Sequence, residues 1–409
     1  MRNFLIKNSK KTLAQSISPA SLPLVRPLRT YWNNRLLFLV SLSFETKIKP
    51  IRIENNNSSQ EELIKMKMNK WTVGLAAAGV VSLASTAQAE ENSVLTSLGS
   101  TVLSGSVEAS YVGSFSSDNN IYGDADGFNA NGASLSIGSP LGGEGYAAGY
   151  NVELLLGQRA SDFSGENEDF LIKNANIGMS LPVGNGIDLT LGLFDTIVGY
   201  EVESSASNPN VDRSYGYDLE PFTHTGLLAS TSLMDNVSLT LGAANAFDST
   251  GDLHNNDQDG SFAFLGGLEV TAPDSLGPLS GSTVYVGIAD GADDDNQLLY
   301  VGASIPTPIE GLSLGVAYDD RESALGDAEA TAIYATYGLS ETMNLALRYD
   351  TIEDDRDWAW KGDTRSQITA TLGVALFDNV LTRIEYTAED GNRAGGSSNG
   401  FAVNAFYAF

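Results

Sequence analysis

The sequence predicts an all-β fold, a transmembrane antiparallel up-and-down β-barrel of about 16 strands with its long third extracellular loop folded inward. Three observations predict it. The last ten residues of the chain alternate between two faces and end on Phe409. Segments with the same period of two residues recur from residue 101 onward. Long polar loops and short turns connect these segments in alternation, as in barrels that cross a membrane.

The C-terminal segment has the pattern of a closing strand. One parity carries only apolar residues, namely Phe401, Val403, Ala405, Tyr407 and Phe409. About ten residues is the length of a tilted strand that crosses a bilayer. Such a strand would leave an exposed edge in a soluble sheet, whereas a closed barrel has no edge. The segment resembles the C-terminal signature of Gram-negative outer-membrane barrels, which implies that the barrel-assembly machinery reads Tyr407 and Phe409.

The charge of the chain is divided unevenly. The 409 residues carry a net charge of −28, and 13 of the 23 Lys and Arg residues lie at or before Lys70. From Glu90 onward 10 basic residues face 47 acidic ones, so this part has a net charge of 10 − 47, or about −37. We expect no nucleic-acid partner, because phosphate requires a basic surface. The absence of Cys fits an exported protein without a disulfide framework.

An export signal precedes the acidic part. Lys65, Lys67 and Lys70 lead into an apolar stretch, residues 71–83, and small residues then end in an A-x-A site at residues 87–89. This order is that of the basic, apolar and cleavage regions of a secretory signal peptide. The apolar stretch is too short, and too interrupted by Gly and Ser, for a transmembrane helix.

The signal divides the chain into three parts. Residues 66–89 are assigned to the signal peptide and residues 90–409 to an outer-membrane β-barrel. Residues 1–65 are basic, lack a clear period and are left out of the fold. A start of translation at Met66 or Met68 is our hypothesis for this upstream part.

The strands can be followed from the start of the acidic part. Residues 101–115, 133–139 and 146–156 alternate apolar and polar side chains, with Leu135 and Ile137 facing outward. Long connections are predicted near residues 116–131, 159–169, 195–221, 248–259, 290–296, 319–329, 353–363 and 388–399. Short turns include residues 184–186, 235–236, 340–342 and 378–379. If both termini lie in the periplasm, the strand number is even.

Aromatic residues on the outward parity form two predicted girdles at the membrane interfaces. The set near the outer rim is Tyr111, Tyr318, Tyr349 and Tyr386. The set near the periplasmic rim is Tyr146, Tyr337, Tyr407 and Phe409. Lys173 also falls on the outward parity of its strand, where it would have to reach the outer rim and snorkel.

The third long loop is the longest irregular segment and carries a motif. The motif residues are Gly192, Phe194, Gly199, Tyr200, Glu201, His224 and Gly226. They resemble the putative β-barrel porin-2 family of Gram-negative bacteria. The chain departs from the family pattern after Thr196, where Ile197 stands instead of a small residue or Pro. The resemblance implies a channel of poorly defined substrate, with no catalytic residues and no cofactor.

Charged residues predict a pore constriction at this loop. Inward parity places Arg348, Arg365 and Arg383 on three adjacent strands, whereas a lipid-facing position would cost about 2–4 kcal/mol at mid-membrane. The acidic residues of the loop are Asp195, Glu201, Glu203, Asp212, Asp218 and Glu220. The resemblance suggests that the two sets face each other and create a transverse field that sets ion selectivity. The alternative is wall salt bridges without a role in transport, Arg348 with Asp350 and Arg383 with Glu385.

The leading hypothesis is a porin, a water-filled outer-membrane channel for passive diffusion of small hydrophilic solutes and ions. It needs no enzymatic turnover. Expected partners are outer-membrane lipid and lipopolysaccharide, the barrel-assembly machinery and the solutes themselves. A homotrimer is compatible with this size, but the outward residues do not decide it. Three alternatives stay open: a plugged structural or adhesive barrel, a substrate-specific channel, and an outer-membrane hydrolase.

Two further features predict no site. Residues 255–260 resemble the opening of a calcium loop, but Gly266 stands where the loop needs its last acidic ligand, so no metal is expected. A hydrolase would require one of the two histidines, His224 or His254, beside a nucleophile. The sequence around His224 has no nucleophile elbow.

We predict that the exported protein begins at Glu90, because signal peptidase cleaves after the A-x-A site. Mass spectrometry of the purified outer-membrane form should give an N-terminal peptide that starts at this residue. The same measurement on the unprocessed precursor tests the start of translation, and a peptide covering residues 13–26 would contradict a start at Met66 or Met68.

Overall fold

Sixteen antiparallel strands form one closed barrel within the described part of the chain. The computed structural model describes residues 101–115, 122, 126–141, 145–250, 262–291, 296–356, 363–391 and 396–409. The predicted signal peptide and the upstream residues lie outside these ranges. The strands are β1 (Val102–Ser114), β2 (Gly127–Ser139), β3 (Ala147–Leu156), β4 (Phe170–Leu181), β5 (Ile187–Asp195), β6 (Thr223–Met234), β7 (Val237–Ala244), β8 (Ala263–Thr271), β9 (Thr283–Gly291), β10 (Asn296–Pro306), β11 (Leu312–Ser323), β12 (Gly326–Ser340), β13 (Met343–Asp354), β14 (Asp363–Phe377), β15 (Val380–Asp390) and β16 (Ser397–Ala408). The predicted antiparallel β-barrel of about 16 strands is confirmed.

The last strand closes the barrel, as its pattern predicts. Strand β16 pairs with β1 over nine positions, from Ser106 opposite Ala408 to Ser114 opposite Gly400. Beyond this ladder, Phe409 and Gly105 exchange both backbone hydrogen bonds at 3.0 Å. The Phe409 ring covers Gly105, where a Cβ atom would lie 2.6 Å from the ring. The ring of Phe409 therefore covers the junction of β1 and β16, where the barrel closes.

The connections alternate in length, with two corrections. The four predicted short turns fall between strands, as at residues 235–236 between β6 and β7. The long loop predicted at residues 319–329 is wrong, because β11 reaches Ser323 and β12 begins at Gly326. The loop at residues 116–131 was predicted too long, because β2 begins at Gly127. At residues 319–323 every side chain is polar or charged, so the alternation of apolar and polar residues that predicts a strand is lost there.

Little helix accompanies the barrel. Helix α1 (Gln158–Ser164) lies in the second long connection, and short 3-10 turns cover Ser205–Ser207, Gly216–Asp218 and Asp274–Leu279. No helix within the described ranges has the length and apolarity to cross a membrane.

The outward face carries the predicted aromatic residues. Seven of the eight side chains are exposed, from 38% for Tyr111 to 80% for Tyr146. Tyr318 is half-buried, while the next residue on its strand, Asp319, is buried on the inward face. The outward parity is confirmed, and the two girdles at the membrane interfaces stay a prediction.

Lys173 faces inward, so its predicted outward position is wrong. A bulge in β4 causes the change: Ile172 pairs with Leu154 and Asn174 with Glu153, which leaves Lys173 as an extra residue between them. A bulge shifts the alternation by one position. The Lys173 Nζ atom is fully buried, 3.0 Å from Glu153 Oε2 and 2.8 Å from Asp195 Oδ1.

We expect Lys173→Met to destabilise the barrel by about 3–5 kcal/mol, because it leaves two largely buried carboxylates, Glu153 and Asp195, without their cation. The urea midpoint of unfolding in lipid vesicles measures the change. Lys173→Arg keeps the charge and is the matched control, with a smaller loss. A midpoint for Lys173→Met equal to that of the wild type would show that the ion pairs contribute nothing.

Candidate functional site

The connection between β5 and β6, residues 196–222, turns into the barrel and is called L3. Gly199 has a φ of +108°, and a Cβ atom there would lie 1.9 Å from Glu220 Oε2. Only glycine fits both this backbone conformation and this approach. The two ends of L3 are tied together, because His224 Nε2 lies 3.1 Å from Thr196 Oγ1 and the Thr196 N–H donates to Phe222 O at 3.0 Å. The turn and this tie hold L3 inside the barrel.

One side of L3 packs by apolar burial. The Tyr200 ring stacks on Tyr334 of β12 at 4.2 Å between centroids. The same ring lies against Gly315 of β11, where a Cβ atom would come within 1.9 Å of the Tyr200 hydroxyl. Ile197 and Val198 join this buried cluster. The departure from the family pattern at Ile197 therefore places an apolar side chain in a core, where burial is favourable.

The other side of L3 is held by Arg348 of β13. Its guanidinium lies 3.0 Å from Glu201, 3.1 Å from Asp212 and 2.7 Å from Asp350. It also donates to the carbonyl oxygens of Asp212 at 2.6 Å and Arg213 at 2.8 Å. The Arg348 side chain is 0% exposed. Because Glu201 lies on the outgoing arm of L3 and Asp212 on the returning arm, one cation joins both arms to the wall.

The tip of L3 contacts β14 and β15. Arg383 donates to the carbonyl oxygen of Ser205 at 2.6 Å and, at 3.2 Å, to that of Asn210. The Asn210 amide donates to Thr371 Oγ1 at 2.6 Å. Glu385 accepts the backbone N–H groups of residues 211 and 212 at 2.5 and 2.8 Å. Arg383 and Glu385 therefore each bind the backbone of L3. The prediction had paired them with each other in a salt bridge of the wall.

Arg159 of helix α1 is a second cationic anchor that sequence reasoning missed. Its guanidinium lies 2.6 Å from Glu203 and donates to Ser106 Oγ of β1 at 2.8 Å. Nearby, Ser205 Oγ donates to Glu108 Oε1 of β1 at 2.6 Å. The one signal in the sequence was that basic residues are rare in this part of the chain: Arg159 is one of only ten after Glu90.

The predicted acidic residues do not act as one set. Glu201 and Asp212 contact Arg348, and Glu203 contacts Arg159. The remaining positions are Asp195 beside Lys173, Glu220 beside Asp319, and Asp218 exposed. We expected acids and arginines to face each other across a gap, but the pairs are buried and in direct contact. A buried charge needs a partner at contact distance, which explains the difference.

The third predicted arginine has a different environment. Arg365 of β14 lies 3.8 Å from Asp354 and 4.9 Å from the ring centroid of Tyr215 in L3. Its inward position is as predicted, but its nearest carboxylate belongs to the wall. The wall pair predicted as the alternative for Arg348, with Asp350, is also present.

Burial changes the pKa of an acidic side chain in L3. It raises the pKa of the Asp212 carboxyl to about 8, although the neighbouring Arg348 guanidinium opposes this rise. An acid whose pKa is higher in the docked loop than in water favours docking while it holds its proton. That contribution is lost as the pH rises toward the docked pKa.

Several solved structures resemble this chain in fold. An anion-selective porin from Comamonas acidovorans aligns with a TM-score of 0.55 and 16% identity, over 76% of this chain and 99% of the porin. OmpF of Salmonella typhi, solved with daunomycin, aligns at 0.54 and 15%, over 76% and 97% of the two chains. The outer membrane channel DcaP of Acinetobacter baumannii gives 0.52 and 14%, over 76% and 97%. At these identities the likeness shows the fold alone.

The sequence itself identifies the family. None of the curated proteins compared with this chain matches it. The family described as putative beta-barrel porin-2, OmpL-like, matches residues 100–409, which cover the complete barrel and L3. The chain therefore belongs to the putative beta-barrel porin-2 family of outer-membrane porins.

Proposed function

We propose that this protein is a channel for passive diffusion of small hydrophilic solutes and ions across the outer membrane, with L3 as its narrowest section. One observation carries the proposal. L3 contacts wall strands around the lumen. The wall residues that it meets are Gly287 on β9, Arg348 on β13, Thr371 on β14 and Glu108 on β1. Any solute path through the barrel must pass these contacts. Sieving and electrostatics then suffice, with no turnover and no cofactor.

The charge pattern supports a preference for cations. Every Lys and Arg side chain in the described ranges is engaged by protein oxygen atoms; these residues are Arg159, Lys173, Arg213, Arg321, Arg348, Arg356, Arg365 and Arg383. Between L3 and the short turns, half-buried Asp188 and Glu269 lie on the inward parity of β5 and β8. An acidic lining raises the local concentration of cations.

A plugged structural barrel is the second candidate, and one observation favours it. Of residues 196–222, only Asp218 is exposed. A loop with so little exposed surface leaves little room for water, so the open state would require L3 to shift. A substrate-specific channel is not favoured by any particular contact.

The hydrolase alternative receives no support from His224. The ring is 0% exposed, and its Nε2 atom contacts Thr196. A substrate would have no access to this imidazole, which instead ties the two ends of L3. The other histidine, His254, lies outside the described residues, as do residues 255–260 of the calcium-like motif.

Export, assembly and lipid contact of the barrel are also part of the proposal. We propose that the signal peptide, residues 66–89, directs export and that Tyr407 and Phe409 are read by the barrel-assembly machinery. The exposed aromatic residues would contact lipid and lipopolysaccharide. Assembly of the barrel into a homotrimer is likewise a proposal.

We predict stepwise conductance and cation selectivity for the mature protein, residues 90–409, in a planar bilayer under a KCl gradient. The sign of the reversal potential gives the selectivity. Glu269→Gln should reduce the preference for K⁺, whereas Glu341→Gln, in the exposed turn between β12 and β13, is the matched control and should leave it unchanged.

Two results would contradict the proposal. A heat-modifiable, correctly folded barrel without conductance at any voltage would favour the plugged barrel. A reversal potential of the opposite sign would show that the engaged arginines still dominate the path.

A further inference from the structure

The returning arm of L3 ends against β11 in a contact between two carboxyl groups. The carboxyl groups of Glu220 and Asp319 lie within hydrogen-bonding reach of each other, and the two residues are 5% and 1% exposed. The backbone of L3 lies directly against both carboxyl groups. A Cβ atom at Gly199 would lie 1.9 Å from the Glu220 carboxylate, and one at Gly216 would lie 2.3 Å from Asp319 Oδ2. At Gly216 the backbone of L3 therefore comes close to Asp319 of the wall strand β11.

No cation compensates this pair within the described residues. Arg321 of β11 is directed to Leu219 O at 2.8 Å and to Asn296 at 2.5 Å. Its guanidinium also lies 3.9 Å from the centroid of the Phe247 ring. Arg348 of β13 is bound to Glu201. The Oε2 atom of Glu220 and the Oδ1 atom of Asp319 have no hydrogen-bond partner.

The other titratable groups around the pair do not supply positive charge. L3 contributes the carboxylates of Glu201 and Asp218. The tyrosines near the pair are Tyr200 of L3, Tyr285 of β9, Tyr300 of β10 and Tyr334 of β12. Asp350 of β13 is bound to Arg348. In the described ranges no three acidic or histidine side chains are arranged to hold a metal ion.

Two carboxyl groups in contact, away from water and from cations, cannot both be ionised at low cost. The docked position of L3 therefore requires a proton between them. We propose that Glu220 and Asp319 form a proton-dependent latch, which holds L3 against β11 while the pair shares a proton and releases it when both groups ionise. This inference rests on the proposed channel only for its effect on conductance.

The direction of the pH effect follows from the docked state. Burial raises the pKa of the Glu220 carboxyl well above its usual range, and the negative charges of Asp319 and Glu201 raise it further. Docked L3 therefore binds a proton more tightly than released L3, so docking weakens as the pH rises. Each unit of difference between the two pKa values changes the docked-to-released ratio by up to about tenfold. Asp212 contributes in the same direction at its own contact.

Single-channel conductance between pH 6 and pH 9 tests the latch in the full barrel. The wild type should open more often as the pH rises. Glu220→Gln should stay closed over more of this range, because the amide donates a hydrogen bond to Asp319 without a titratable proton. Asp320→Asn is the matched control, since Asp320 adjoins Asp319 on β11 but faces outward. It should respond to pH like the wild type.

A distance measurement separates failure of the latch from failure of the channel proposal. The chain has no Cys, so spin labels can be placed at Asp218→Cys in L3 and Ser340→Cys beside a short turn. Pulsed electron paramagnetic resonance should show a longer or broader distance at pH 9 than at pH 6, and Glu220→Gln should suppress this change.

A pH-dependent distance without conductance would support the latch and overturn only the channel proposal. Distances that do not change with pH, or that change equally with and without Glu220→Gln, would overturn the latch even if the barrel conducts.

Discussion

The structure depends on the contact of one buried arginine with an acidic loop. Arg348 joins Glu201 and Asp212, one from each arm of L3, to the wall strand β13. Without this cation both carboxylates would be buried in the lumen with no charge to offset them. Breaking one side of a buried ion pair is strongly destabilising, by about 3–5 kcal/mol. The position of L3, and hence the shape of the lumen, follows from this constraint.

L3 has two different faces, and each suits the wall that it contacts. The face that includes Val198 and Tyr200 packs on a buried apolar cluster. The opposite face and the tip meet charged and amide groups on β13 to β15 and β1, including Arg383. Apolar packing resists sliding whatever the pH, whereas the polar contacts depend on protonation. A loop held in this way can be fixed in place yet respond to its surroundings.

The barrel could be predicted from the sequence because the pattern that indicates it lies within short segments of the chain. The closing strand before Phe409 and the inward parity of Arg348 follow from a period of two residues. Three features were out of reach. The bulge that turns Lys173 inward adds one residue and leaves no compositional mark. Residues 319–323 of β11 are polar or charged at every position, so they show no apolar alternation even though Asp319 is buried inside the barrel. The direct contact of L3 with the arginine wall depends on tertiary packing that a single sequence does not encode locally.

Arg348 and the acidic residues of L3 should be energetically coupled. A double-mutant cycle with Arg348→Met, Glu201→Gln and the double variant isolates this coupling, measured as the free energy of unfolding in lipid vesicles. We expect the double variant to lose less stability than the two single variants together, by about 1 kcal/mol or more. Losses that add to within about 0.3–0.5 kcal/mol would contradict it, because they would mean that L3 does not rest on the arginine wall.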